Sequence, residues 1–239
     1  GDLVESVADK KGCEQPVREL VARLENELSA GDIVFLASLR TVRLMDQWAV
    51  FDYGVSEKWV DMENLPQRAV ARNASSAVLE YQDVLGYLQS PLAVKQRQKA
   101  LAEASELIAR LQSKGVHVLI DAAKPVFQMP PFRCSDWFNR ANPICTLGPG
   151  INKQQLLKIR EPFMISIAEL QERFDNVVVW DPLTVLCPGK ICSVYDAEGL
   201  PLFSDADHLS GHGNRVLYPS FEQMLLSIED KNRRNNHSK

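Results

Sequence analysis

The chain has 239 residues, of which 45% are hydrophobic and 24% are charged, and its formal net charge is -4. This length and apolar content support one sizeable core and exclude wholesale disorder. The mild negative charge gives no electrostatic basis for binding nucleic acid, and the sequence has no run of about 18 apolar residues to span a membrane.

The predicted elements alternate between amphipathic helices and short apolar strands. Three units of a helix followed by a strand are predicted, and a final helix closes the chain. The helices cover residues 17–28, 100–111, 153–174 and 213–228, and the strands cover residues 32–36, 116–120 and 177–180.

Apolar strands that alternate with helices indicate a parallel sheet covered on both faces. We therefore predict an α/β fold, a three-layer α/β/α sandwich with a mostly parallel sheet. Residues 1–230 are expected to form one domain, and residues 231–239 a frayed polar tail. Ligands of such sheets bind at the carboxyl ends of the strands, so reactive side chains are expected there.

Five cysteines bear on the compartment. Cys134 and Cys145 bracket one loop, and Cys187 and Cys192 bracket a shorter one. The spacing is not that of a structural zinc site, and two close pairs fit disulfides formed in an oxidising compartment. Reduced cysteines in a cytosolic protein are the alternative. Cys13 is left over and predicts a partner elsewhere.

The strongest candidate for chemistry is the segment around Asp205 and His208. An aspartate three residues before a histidine can accept from one imidazole nitrogen, which leaves the other to take a proton from a nucleophile. The spacing equally fits a helix-capping aspartate beside a surface histidine, and Asp207 competes with Asp205 for the orienting role. The remaining histidines, of which His117 lies in a predicted strand and His212 near a helix start, predict no metal site.

The C-terminal third resembles a known family. The residues that carry the resemblance are Cys187-Pro188, Cys192-Ser193-Val194-Tyr195, Gly199, Pro201-Leu202-Phe203, Asp205-Ala206-Asp207-His208-Leu209-Ser210 and Gly213. This run is similar to the C-terminal signature of SGNH-hydrolase domains fused to bacterial membrane acyltransferase-3 proteins, which O-acetylate lipopolysaccharide and other surface glycans. The strands at 32–37 and 115–120 and both cysteine pairs also fit that family.

The resemblance implies a fold of the SGNH-hydrolase or flavodoxin-like type and acyl transfer through an acyl-serine. It assigns His208 as general base and Asp205 as its orienter. The expected partners are a polysaccharide acceptor and an acyl donor delivered by a fused transmembrane domain, with no cofactor. The expected location is periplasmic, tethered to the inner membrane.

The nucleophile of that family is missing from this sequence. Its first block carries Gly-Asp-Ser, which does not occur here, and Gly1-Asp2-Leu3 has leucine at the serine position. We expect the serine block to lie upstream of Gly1. Ser38 and Arg40, just after the first predicted strand, are candidates for oxyanion or substrate binding, although Arg40 equally fits a surface ion pair.

Three other functions stay open. A free-standing carbohydrate esterase would use the same triad with water as the acceptor. A non-catalytic glycan-binding or regulatory module would use the same cleft without a serine. A cytosolic α/β protein of unrelated function is the remaining alternative.

Overall fold

The computed structural model describes residues 14–37, 85–86, 88–125, 127, 131–139, 141, 145, 150–205 and 208–237. The helices are α1 Glu14–Glu27, α2 Pro91–Ser113, α3 Pro131–Cys134, α4 Lys153–Arg173, α5 Leu183–Leu186 and α6 Gly211–His237. The strands are β1 Ile33–Leu36, β2 His117–Asp121, β3 Gly150–Asn152, β4 Val177–Trp180 and β5 Ile191–Ser193.

The main sheet of the described residues is parallel, in the order β1-β2-β4. Leu36 of β1 lies opposite Ile120 of β2, and Asp121 lies opposite Trp180 of β4. The three strands that the sequence predicts are therefore confirmed within one residue at each end. β3 and β5 form a separate antiparallel pair.

Helices cover both faces of this sheet. Val118 and Ile120 of β2 are buried with Leu111 of α2 and Leu170 of α4. Their neighbour Leu119 points to the opposite face, because successive strand side chains alternate, and is buried with residues of α6. The predicted three-layer α/β/α sandwich is thus confirmed.

Local sequence signals fix the turns between these elements. Ser90 caps α2, accepting from the Ala93 amide at 3.2 Å, and Asn152 caps α4, accepting from the Gln154 amide at 2.9 Å. Gly115 ends the turn after α2 with a φ of 74°, a left-handed conformation that favours glycine. These signals place β2 directly after its helix.

The last helix is longer than predicted. α6 extends through His237, so most of the predicted polar tail at 231–239 is helical, although Lys231 is exposed. Asn232 hydrogen-bonds His117, at the amino end of β2. Helix α6 therefore runs across the sheet from the carboxyl ends of the strands to their amino ends. No helix among the described ranges is both long and apolar enough to cross a membrane.

Both predicted disulfides are present. Cys134 is bonded to Cys145, and Cys187 is bonded to Cys192. Cys13 lies outside the described residues.

Candidate active site

The segment with Asp205 and His208 lies at the tip of a short hairpin. Phe203 and Leu209 form an antiparallel bridge, and the Ser204 amide donates to the His208 carbonyl at 2.8 Å. The Phe203 side chain is completely buried, with its ring 5.0 Å from that of Phe127. This buried anchor holds the base of the hairpin against the core.

Asp205 hydrogen-bonds His208 through both carboxylate oxygens. Oδ2 lies 2.8 Å from Nδ1 of the imidazole, and Oδ1 accepts from the His208 backbone amide at 2.7 Å. A carboxylate on Nδ1 favours the tautomer with its proton there and makes Nε2 the basic nitrogen. Both side chains are about half exposed, at 50% and 44%. The arrangement suits proton transfer at Nε2.

Helix α6 begins immediately after this hairpin and is fixed to it. Ser210 caps the helix, because its Oγ accepts from the Gly213 amide at 2.9 Å. The same hydroxyl donates to the Pro201 carbonyl at 2.6 Å. A Cβ at Gly213 would come within 2.0 Å of the Leu202 carbonyl oxygen, so glycine is required for this close approach.

A second carboxylate–imidazole pair lies beside the first. Asp196 Oδ2 contacts Nε2 of His212 at 2.5 Å, and its Oδ1 accepts from the backbone amides of Glu198 and Leu200. Desolvation acts to raise the pKa of Asp196, but the hydrogen bonds from Leu200, His212 and Glu198 outweigh it and lower that pKa. The partner of His212, sixteen residues earlier in the chain, was not predicted from the sequence.

A cleft of about 380 Å³ opens at the carboxyl ends of β1, β2 and β4, where the fold predicts a ligand. His208 lines this cleft together with three aromatic rings. Those rings belong to Phe35, Trp180 and Phe221, with the Phe35 and Phe221 centroids 4.8 Å apart. Apolar walls with a few polar groups are typical of small-molecule sites.

Two charged residues on the cleft wall were not predicted. Asp121 ends β2, Lys124 follows it, and the Lys124 ammonium donates to Asp121 Oδ2. Both side chains are almost completely buried, at 2% and 4% exposure. Charged residues directly after an apolar strand are the sequence signal that would have identified them.

A buried arginine ties two of the strand ends together. Arg160 of α4 donates through Nε to the Ala123 carbonyl and through Nη2 to Asp181 Oδ1, each at 2.7 Å. Ala123 follows β2 and Asp181 follows β4, so this guanidinium sets the spacing of the cleft wall. Its partners satisfy a cation that would otherwise be costly to bury.

Other predicted positions do not join the site. His117 lies at the amino end of β2, at the opposite edge of the sheet from the cleft. Burial lowers the pKa of His117, the Asn232 hydrogen bond opposes this, and the Lys231 charge adds to it. Ser38 and Arg40 lie outside the described residues, as does Asp207. No group of three or more His, Cys, Asp or Glu side chains in the described ranges could hold a metal ion.

The sandwich and the cleft beside an Asp-His pair define an α/β domain of the hydrolase type. A family model described as the SGNH domain fused to AT3 domains matches residues 2–223. The chain belongs to this SGNH family, whose chemistry is of the esterase and acyl-transfer type. Comparison with curated proteins found no match, and comparison with solved structures found none either.

Proposed function

We propose that this chain is the extracytoplasmic SGNH domain of a membrane O-acyltransferase, and that it transfers acetyl groups to hydroxyls of a bacterial surface polysaccharide. The observation that carries the proposal is the Asp205–His208 pair, held at 2.8 Å on the wall of the cleft. Membership of a family described as fused to AT3 domains supports a membrane acyltransferase as the source of the acyl group.

The proposed reaction has two steps with His208 in both. A serine hydroxyl gives its proton to His208 Nε2 as its oxygen attacks the acyl carbonyl, and the donor's leaving group departs with a proton from the imidazolium. A sugar hydroxyl then loses its proton to Nε2 as its oxygen attacks the acyl-serine, and the imidazolium returns a proton to the serine oxygen as that oxygen leaves. Asp205 stabilises the imidazolium that forms in each step.

The serine itself is part of the proposal. Because Gly-Asp-Ser is absent from the 239 residues, we propose a nucleophile supplied from a serine block upstream of Gly1. Ser38 and Arg40 remain proposed oxyanion or substrate donors. Ala37, the residue before Ser38, lines the cleft.

The disulfides support the proposed location. Cys134–Cys145 and Cys187–Cys192 fit an oxidising compartment such as the periplasm. A domain tethered there to the inner membrane would receive acyl groups from its transmembrane partner and meet surface glycans during their export.

A carbohydrate esterase is the second candidate. The half-exposed Asp205 and His208 side chains favour it, because water can reach them. A non-catalytic glycan-binding module is favoured only by the missing Gly-Asp-Ser block. Polysaccharide that gains acetyl groups in the presence of the protein supports the transferase, and polysaccharide that loses them supports the esterase.

The direct test is His208→Ala in the protein at its native length, expressed in the strain that carries the gene. We expect acetylation of the surface polysaccharide, measured from the acetyl signals in its proton NMR spectrum, to fall about 10³-fold or more. His117→Ala is the matched control and should leave acetylation intact, since His117 lies at the far edge of the sheet. Near-normal acetylation with His208→Ala would remove this residue from the mechanism.

A further inference from the structure

Three large aromatic side chains are exposed within the short segment 132–138. Phe132 is 60% exposed, Trp137 is 79% exposed and Phe138 is 64% exposed. An exposed cluster of such rings marks an interaction surface more often than a chance arrangement. The Trp137 and Phe138 rings lie 5.8 Å apart and nearly perpendicular, so together they form a ridge.

The segment that carries these rings is fixed in place. The Cys134–Cys145 disulfide closes it, and Cys134 is buried. Ser135 Oγ donates to the Phe132 carbonyl at 2.7 Å, and Asn139 Nδ2 donates to the Arg133 carbonyl at 3.0 Å. These two hydrogen bonds hold the backbone of the segment while the rings stay outside. A surface ordered before binding loses less entropy when it binds.

The segment is also connected to the candidate active site. It leaves the sheet at the carboxyl end of β2, the edge at which the cleft opens. Tyr195 Oη donates to the Pro131 carbonyl at 3.0 Å, and Tyr195 is bridged to Pro201 in the chain leading to Asp205. Cys134 packs in the same buried cluster as Phe203, the anchor of the Asp205 hairpin.

We propose that Trp137 and Phe138 form a carbohydrate-stacking platform that holds the acceptor polysaccharide beside the cleft. This inference rests on the proposed function and names how that site would bind its acceptor. A polysaccharide is far longer than a cleft of about 380 Å³ can enclose, so its neighbouring sugar units must run across the rim.

The chemistry of the segment fits a sugar better than a lipid surface. The C–H groups on one face of a pyranose ring carry partial positive charge, which complements the negative face of an aromatic ring. Sugar hydroxyls around that face need polar partners, and the exposed Arg133, Ser135 and Asp136 lie between Phe132 and Trp137 in the chain. The charges of Arg133 and Asp136 offset each other, so the segment has no net positive charge to attract an anionic membrane.

The test is a calorimetric titration of the native-length protein with oligosaccharides, released by mild acid from the surface polysaccharide of the strain that carries the gene. Trp137→Ala should raise Kd about tenfold or more, and Trp137→Tyr should recover part of the affinity. Leu226→Ala is the matched control, because Leu226 is also a large exposed apolar residue, at 53%, but lies on α6. It should bind as the unaltered protein does.

Kinetic and binding measurements on two variants distinguish a failure of the platform from a failure of the proposed function. In the transfer reaction, Trp137→Ala should raise the acceptor KM and leave kcat nearly unchanged, whereas His208→Ala should bind oligosaccharide normally. An unchanged Kd with Trp137→Ala overturns the platform, whatever His208→Ala does to catalysis. If Trp137→Ala no longer sediments with phosphatidylglycerol vesicles but keeps its oligosaccharide affinity, the platform is overturned in favour of a membrane contact.

Discussion

Two aspartate–histidine pairs lie among the described residues of the segment 196–212, and they differ in which ring nitrogen the carboxylate contacts. Asp205 contacts Nδ1 of His208, whereas Asp196 contacts Nε2 of His212. The first contact makes Nε2 the basic atom of a histidine that lines the cleft. In the second pair, the contact with Asp196 is made at Nε2 of His212 itself. Identical residue types therefore support proton transfer in one pair and attachment in the other.

Exposure and backbone contacts reinforce this difference. The His208 and Asp205 side chains are 44% and 50% exposed, while those of His212 and Asp196 are 24% and 15% exposed. Asp196 also accepts from two backbone amides of its own turn, so it joins the 196–200 turn to the first turn of α6. The second pair thus positions the helix that follows His208.

The largest expected difference between the pairs is in catalysis. Asp205→Asn should lower acyl transfer about 10²- to 10⁴-fold, because an amide no longer stabilises the imidazolium or favours the correct tautomer. Asp196→Asn is the matched substitution and should change transfer far less, since it acts only through the position of α6. Initial rates of polysaccharide acetylation measure both. Equal losses from the two substitutions would contradict the division of roles.

A smaller effect is expected on stability against pH. Because the pKa of Asp196 is lowered in the folded protein, its ionised form contributes stability above the ordinary value of about 3.9, and this contribution is lost as pH falls through the lowered pKa. Urea unfolding is measured for Asp196→Asn and the unaltered protein from neutral pH to about pH 3. The variant should have the lower free energy of unfolding near neutrality, and the difference between the two proteins should shrink in acid. A difference that grows in acid would show that ionised Asp196 does not stabilise the folded protein.

Features set by local pattern were predictable from the sequence. Apolar spacing predicted the sheet strands and the helices that precede them. The close spacing of Cys187 and Cys192 likewise predicted their pairing, as expected of loop cysteines in an oxidising compartment. In each case the signal lies within one element or one short loop.

Features that depend on packing between distant segments were not predictable. The Asp196–His212 contact needs the 196–200 turn and α6 to be docked first, and the Arg160 link needs α4 laid across two strand ends. The end of α6 was missed for a related reason. Its apolar pattern stops near Ile228, where burial ends, but the helical backbone continues through exposed polar residues.

The measurement that tests the central claim most directly is fluorophosphonate labelling of the native-length protein, with the labelled peptide mapped by mass spectrometry. The account predicts label on one serine, retained in His212→Ala and lost in His208→Ala, because only His208 activates the nucleophile. Label that persists in His208→Ala, or no label on the folded unaltered protein, would contradict the assignment of Asp205 and His208 as the catalytic base.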